Sequence, residues 1–163
     1  MFKKILVPLD GSELAEVALE HAKELARCTG AELELLRVAQ LYLPNYYFEA
    51  PIDADELIQR DRAQAKDYIE ALAEKVRGEN FKVSSFVGHG AVADVIVDYA
   101  ESTNADIIVM STHGRTGMQR WLLGSVADRV LHGAKIPILL VRASEHPAAQ
   151  GSHNGHKAAE TAS

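Results

Sequence analysis

The chain has one cysteine, a shortage of lysine and arginine, and no long apolar run, and each shortage removes a class of protein. With Cys28 alone, an intramolecular disulfide and a cysteine-based zinc cluster are excluded. No window approaches the ~20 consecutive apolar residues that a membrane span needs. The opening Met1-Phe-Lys-Lys-Ile-Leu-Val meets Pro8 and Asp10 after three apolar residues, too few for a signal-peptide core. A cytoplasmic protein with no membrane partner is therefore expected. The net charge is −6 and no basic stripe offsets it. Nucleic acid is not expected as a partner, because duplex binding works by neutralising phosphates with Lys and Arg.

Motifs are missing as well. There is no G-x-x-x-x-G-K-[S/T], so this is not a P-loop enzyme, and the turn Asp10-Gly-Ser12 lacks the three glycines of a dinucleotide fingerprint. No paired carboxylates and no Ser/His/Asp order stand out as hydrolytic machinery.

What is present is regular. At 163 residues and 47% apolar, the chain is long enough for one domain with a full core. Ile5 to Val7 reads as a short buried strand, and Ser12 as the N-cap of a helix striped by Leu14, Val17, Ala18, Ala22, Leu25 and Ala26. Gly30 stops that helix. Among its apolar positions, Cys28 reads as a small core residue rather than a reactive thiol. Glu32 to Val38 is the second strand. Leu41 to Asp53, with Pro44, Pro51 and the aromatics Tyr42, Tyr46, Tyr47 and Phe48, shows no period and reads as a loop serving as flap or contact surface. A charged amphipathic helix carrying Ile58, Ala65, Ile69, Leu72 and Val76 ends near Gly78. Phe81 to Val87 follows as a strand, Gly88-His89-Gly90 as a turn, and a helix striped by Val92, Val95, Ile96, Tyr99 and Ala100 comes next. Asp106 to Met110 is the fourth strand, Trp121 to Leu131 carries the fourth helix, and Ile136 to Val141 is the fifth strand. Pro137 lacks an amide donor, which places that strand at a sheet edge or delays its start. Strict alternation predicts a doubly wound, Rossmann-like α/β fold. Its five parallel strands would run in the order 3-2-1-4-5, with helices on both faces. Residues 143–163 have no large apolar side chain, and the tail with His146, His153 and His156 reads as disordered and solvated.

The chemistry concentrates after the fourth strand. Ser111-Thr-His-Gly114-Arg115-Thr-Gly117, then Leu122-Leu-Gly124-Ser125, form a loop of glycines and hydroxyls entering a helix. Glycines admit close backbone approach and a helix start favours anions, so a nucleotide phosphate fits there. If the first and fourth strands are neighbours, Pro8-Leu9-Asp10-Gly-Ser12 converges on the same crevice. Asp10 has two compatible readings: it caps the first helix, or it holds a ribose hydroxyl or divalent metal. Gly124 inside or at the start of a helix costs about 1 kcal/mol relative to alanine, which points to close backbone approach or to tight packing. Arg115 is free to pair with phosphate or to lie in solvent. His113 and His89 read as loop residues, and Met118 and Trp121 as packing residues.

Four segments together resemble universal stress proteins: Lys4-Ile-Leu-Val-Pro-Leu-Asp10-Gly-Ser12, Leu35-Leu-Arg-Val38, Asp106-Ile-Ile-Val-Met-Ser-Thr-His-Gly-Arg115 and Leu123-Gly-Ser-Val-Ala-Asp-Arg-Val130. The resemblance runs from residue 1 to 142. ATP-binding members of that family carry G-x2-G-x9-G-[S/T]; here Ser111-x2-Gly114-x9-Gly124-Ser125 departs only at the first position. The resemblance implies ATP, or ADP or AMP, bound with Mg²⁺ or Mn²⁺. Pro8 and Asp10 would border ribose and metal, with Leu9 between them. Val38 would pack on adenine, Met110 and Ser111 line the base and sugar, and Gly114, Arg115, Gly117, Gly124, Ser125 and Val126 serve the phosphates. It also implies a homodimer through the fifth strand, Ile136 to Val141. The expected function is a nucleotide-dependent stress-response regulator acting on an unknown protein partner, without catalysis beyond slow ATP hydrolysis. The alternative is an interaction protein of the same family that binds no nucleotide.

Overall fold

The computed structural model describes residues 1–39, 54–112 and 123–142. These residues form β1 (Lys4–Pro8), α1 (Glu13–Thr29), β2 (Glu32–Ala39), α2 (Ala54–Gly78), β3 (Val83–His89), α3 (Val92–Ser102), β4 (Ile107–Ser111), α4 (Ser125–Gly133) and β5 (Ile138–Val141). Every strand pair is parallel and the sheet order is β3-β2-β1-β4-β5, the order expected from the alternation. The aromatic stretch 41–53 and the tail 143–163 lie outside the described residues.

Strand side chains alternate between faces, and here both faces are covered, which is why the strands read as unbroken apolar runs. Ile5, Val7, Leu33, Leu35 and Val109 pack with Ala18, Leu19 and Ala22 of α1 and with Ile69 and Val76 of α2. Leu6, Leu36, Ile108 and Met110 pack with Ala93, Ile96 and Ala100 of α3 and with Ala127 and Val130 of α4. Each large aliphatic side chain so enclosed contributes about 1.5–3 kcal/mol. Charged residues then lock the layers at their rims. Lys23 of α1 reaches Glu20 at 2.7 Å and Glu79, just past α2, at 2.8 Å. Burial works against the Lys23 charge, but the two carboxylates outweigh it and hold its pKa above the ordinary lysine value. Lys4 bridges Glu34 at 3.1 Å and the Thr103 carbonyl at 2.9 Å, tying β1, β2 and the end of α3 together.

Several boundaries differ from the sequence reading. The third strand starts at Val83 and runs on through Gly88 and His89, so only Gly90, with φ 124°, makes the turn. The fifth strand begins at Ile138: Pro137 precedes it, its carbonyl accepting from the Ile108 amide at 3.0 Å while it has no amide of its own to return. The strand does lie at the sheet edge. The fourth helix begins at Ser125 rather than at Trp121, because Gly124 holds extended backbone (φ −60°, ψ 147°) and is the N-cap. Cys28 is exposed, not a core residue. It lies two residues beyond Ala26, about 200° around the helix, and so points away from the buried stripe. Val17 is exposed on the same side, and Leu131 is exposed on α4.

Gly88 is the point of closest approach between β3 and α3. A Cβ there would stand 2.5 Å from Val95 Cγ1. Gly88→Ala is expected to lower stability by about 1–3 kcal/mol in urea unfolding. Adding Val95→Ala should return part of the loss. An alanine variant as stable as the parent would show that α3 yields at this crossing.

Candidate functional site

β1 lies between β2 and β4, pairing Ile5 with Ile107 and Leu6 with Ile108 on the β4 side. The connections from β1 and from β4 leave toward opposite faces, α1 to one layer and α4 to the other. A crevice therefore opens beyond the carboxyl ends of these two strands, the place where open α/β sheets hold ligands.

One wall is the turn from β1 into α1. The Leu9 amide donates to the Leu36 carbonyl at 2.8 Å, so the chain stays pinned to β2 one residue past the strand. Asp10 Oδ1 then accepts from the Ser12 amide at 3.0 Å and from the Ser12 hydroxyl at 2.6 Å. Ser12 Oγ in turn accepts from the Ala15 amide at 3.2 Å. The capping reading of Asp10 is thus correct, and Gly11, with φ 82°, permits the tight turn. At the start of α1 the N-cap side chain thus takes the Ala15 amide.

The other wall is built differently. Thr112 donates its amide to the Val141 carbonyl at 2.9 Å, and the Gly124 amide donates to the Thr112 carbonyl at 2.9 Å. These bonds seat the start of α4 against the carboxyl end of β4. Gly124 has no side chain, so this N-cap residue gives the helix start no side-chain hydrogen bond, in contrast to Ser12 of α1. The first-turn amides of a helix have no partner within the helix, and with the helix dipole they favour an anion. Ser125, first in the helix, is exposed beside them, and Val126 is partly buried.

Of the other residues singled out in the sequence, Leu9, Val38, Met110 and Ser111 are buried at or next to these strand ends, with Pro8 partly so. Gly114, Arg115, Gly117, His113, Met118 and Trp121 lie outside the described residues. His89 ends β3 opposite Ala39, two strands away from the crevice. The described residues contain no group of three His, Cys, Asp or Glu able to hold a metal, and no helix among them is long and apolar enough to cross a membrane. A divalent ion beside Asp10 would complete its shell with ligand phosphates and water, as Mg²⁺ commonly does.

Three residues escaped the sequence reading. Arg37 of β2 is buried, 8% exposed, and its guanidinium donates to the Leu9 carbonyl at a long 3.5 Å. Tyr68 of α2 donates to Glu16 Oε1 at 3.0 Å. Burial and the Glu16 carboxylate raise the Tyr68 pKa far above the ordinary phenol value, while Arg37 opposes them and Asp10 adds to them. Asp10, Glu16, Arg37 and Tyr68 therefore form one polar group on the α1/α2 side of the crevice. The available signal was a lone arginine inside the apolar run Leu35-Leu-Arg-Val-Ala39.

Comparison with known proteins follows the same outline. Residues 1–142 match the model of the Universal stress protein family. Universal stress protein MJ0531 of Methanocaldococcus jannaschii is 33% identical over 147 residues, covering 87% of this chain and 83% of the relative. The solved structure of MJ0577 superposes with a TM-score of 0.74 at 32% identity, covering 90% of this chain and 99% of that one; the corresponding curated relative is Universal stress protein MJ0577 of the same organism. Universal stress protein UspA from Lactobacillus plantarum superposes with a TM-score of 0.73 at 26% identity, over 86% of this chain and 98% of that one.

Ser12→Ala removes the acceptor for Ala15 and one donor to Asp10. A stability loss of about 1 kcal/mol is expected in thermal or urea unfolding. A neutral result would mean that Asp10 alone maintains the turn.

Proposed function

Since the chain belongs to the universal stress protein family, we propose that it is a nucleotide-binding regulatory protein whose crevice takes ATP with Mg²⁺ or Mn²⁺. The observation that carries this reading is the start of α4 at Gly124, which offers no capping side chain of its own, across the β1/β4 ends from a helix start where Ser12 caps the Ala15 amide. The phosphates would take the amides of Ser125 and Val126 beside Gly124, whose own amide is held by Thr112, together with Gly114, Arg115 and Gly117 of the family pattern. Ribose and metal would lie by Pro8, Leu9 and Asp10, whose Oδ1 serves the turn. The buried edge formed by Val38, Met110 and Ser111 would hold the base side. The metal, when bound, supplies charge neutralisation of the phosphates.

The reading assigns binding rather than turnover. Efficient hydrolysis requires a base oriented by a partner at the reacting atoms. Two polar contacts of Asp10 serve a helix cap. Nucleotide would act by changing how the protein meets its partners in a stress response.

Ser111 favours a second reading, an interaction protein that binds no nucleotide. Serine stands there where ATP-binding members carry glycine, and it is 8% exposed at the end of β4.

Titration calorimetry of nucleotide-stripped protein with Mg·ATP separates the two. Binding near one site per subunit is expected, and Gly124→Asp, which sets charge and bulk at the uncapped helix start, should abolish it while the fold persists. A folded parent giving no heat at several temperatures would favour the second reading, and an unchanged affinity in that variant would place the phosphates away from the start of α4.

The fifth strand carries the assembly part of the proposal. β5 is an edge strand, and Leu139 on it is 39% exposed, so backbone and apolar surface are both open to a second copy. Light scattering should show a dimer for the parent and a monomer for Leu139→Lys. A variant that stays dimeric would move the interface elsewhere.

A further inference from the structure

Arg37 is a cation enclosed where an apolar residue would serve the core better. Its position on β2 turns it toward the α1/α2 layer, the side that also buries Leu33 and Leu35. Burying a guanidinium is costly unless charge and hydrogen bonds offset it. One such hydrogen bond comes from the crevice wall. The guanidinium donates to the Leu9 carbonyl, while the Leu9 amide donates to the Leu36 carbonyl, so the residue before Asp10 is held at both of its backbone groups. The carboxylates of Asp10 and Glu16 belong to the same group, since both act on the Tyr68 phenol together with Arg37. Glu13 adds further negative charge in the first turn of α1. Removing Arg37 would take a positive charge away from the Asp10 and Glu16 carboxylates, beside a ligand that is itself a polyanion.

We infer that Arg37 is the positioning residue of the nucleotide site: it fixes the Leu9–Asp10 peptide and offsets the acidic wall so that phosphates are tolerated. This deepens the nucleotide reading above and rests on it. The guanidinium acts through Leu9 and through its field and does not touch the ligand. Its contribution should therefore grow with the charge of the ligand. Adenosine, which shares base and ribose with ATP but has no phosphate, isolates that dependence.

The experiment is calorimetric titration of the parent, Arg37→Gln and Arg37→Lys with ATP and with adenosine, with and without Mg²⁺. Circular dichroism confirms that each variant is folded. Gln keeps a donor without the charge, and Lys keeps the charge without the fork. R37Q should weaken ATP roughly tenfold, the scale expected for removing one charge near the phosphates. Adenosine affinity should change by less than about twofold. The ATP loss should be larger without Mg²⁺, and R37K should recover most of it. Equal losses for ATP and adenosine in both variants would reduce Arg37 to a packing residue and overturn the inference. So would unchanged ATP affinity in folded R37Q, or failure of R37K to recover any of the loss. Should R37Q not fold, the same comparison between the parent and R37K decides: a charge role requires the ATP-to-adenosine preference to survive in R37K. A parent that binds adenosine but shows no preference for ATP leaves the base site standing and removes the role of Arg37. A parent that binds neither refutes the nucleotide reading itself.

Discussion

The pairing of β1 with β2 on one side and β4 on the other is the constraint from which the rest of this structure follows. Right-handed crossovers must leave β1 and β4 toward opposite faces of the sheet, because each strand has its partner on the opposite side. Among the described residues no helix then covers the gap between their carboxyl ends. The same arrangement delivers two helix starts to one crevice, and those starts are unlike. Ser12 and Asp10 close the first with side-chain hydrogen bonds, and Gly124 leaves the second without one. The asymmetry gives the crevice a direction, with a carboxylate wall on the β1 side and a helix start without a capping side chain at Gly124 on the β4 side.

Charge inside the fold follows a similar economy. Each buried charged residue is a joint between elements that packing alone holds loosely. Lys23 joins α1 to the end of α2, Lys4 and Glu34 join β1, β2 and α3, and Arg37 joins β2 to the loop after β1. Asp106 does comparable work at the amino end, accepting from the Lys3 and Lys4 amides at 2.7 and 2.9 Å. Those two amides hold its carboxyl below the usual carboxylate range. The consequence is directional. As pH falls through the depressed pKa, the carboxylate is protonated and this contribution to stability is lost, whereas above the unfolded pKa it is fully present. The amino end of the sheet is thus locked by charge and the carboxyl end is left to the crevice.

Much of this was legible in the chain. The apolar runs at Ile5–Val7 and Ile107–Met110, the Ser12 cap and the Gly30 stop appear where the residues indicated. They are local features, and local physics sets them. Boundaries went astray where a neighbour decides the backbone. β3 extends through Gly88 because pairing with β2 continues as far as Ala39, and α4 starts late because Gly124 bonds back to Thr112. Cys28 was misjudged because small residues surround it in sequence while the helix turns it outward.

Of the candidate site, the sequence by itself determined the chemistry on offer: a carboxylate and hydroxyl after the first strand, glycines and hydroxyls after the fourth, and five parallel strands to carry them. Residue type and period are enough for that, since they depend on neighbours a few positions away. Only the tertiary structure decided which of those groups were already committed. Asp10 spends one oxygen on Ser12, Gly124 leaves its helix start uncapped, and Arg37, unremarkable among the strand residues, lies beneath the crevice with Glu16 and Tyr68. Each of those outcomes depends on contacts between segments distant in the chain, and no local pattern of residues carries that information.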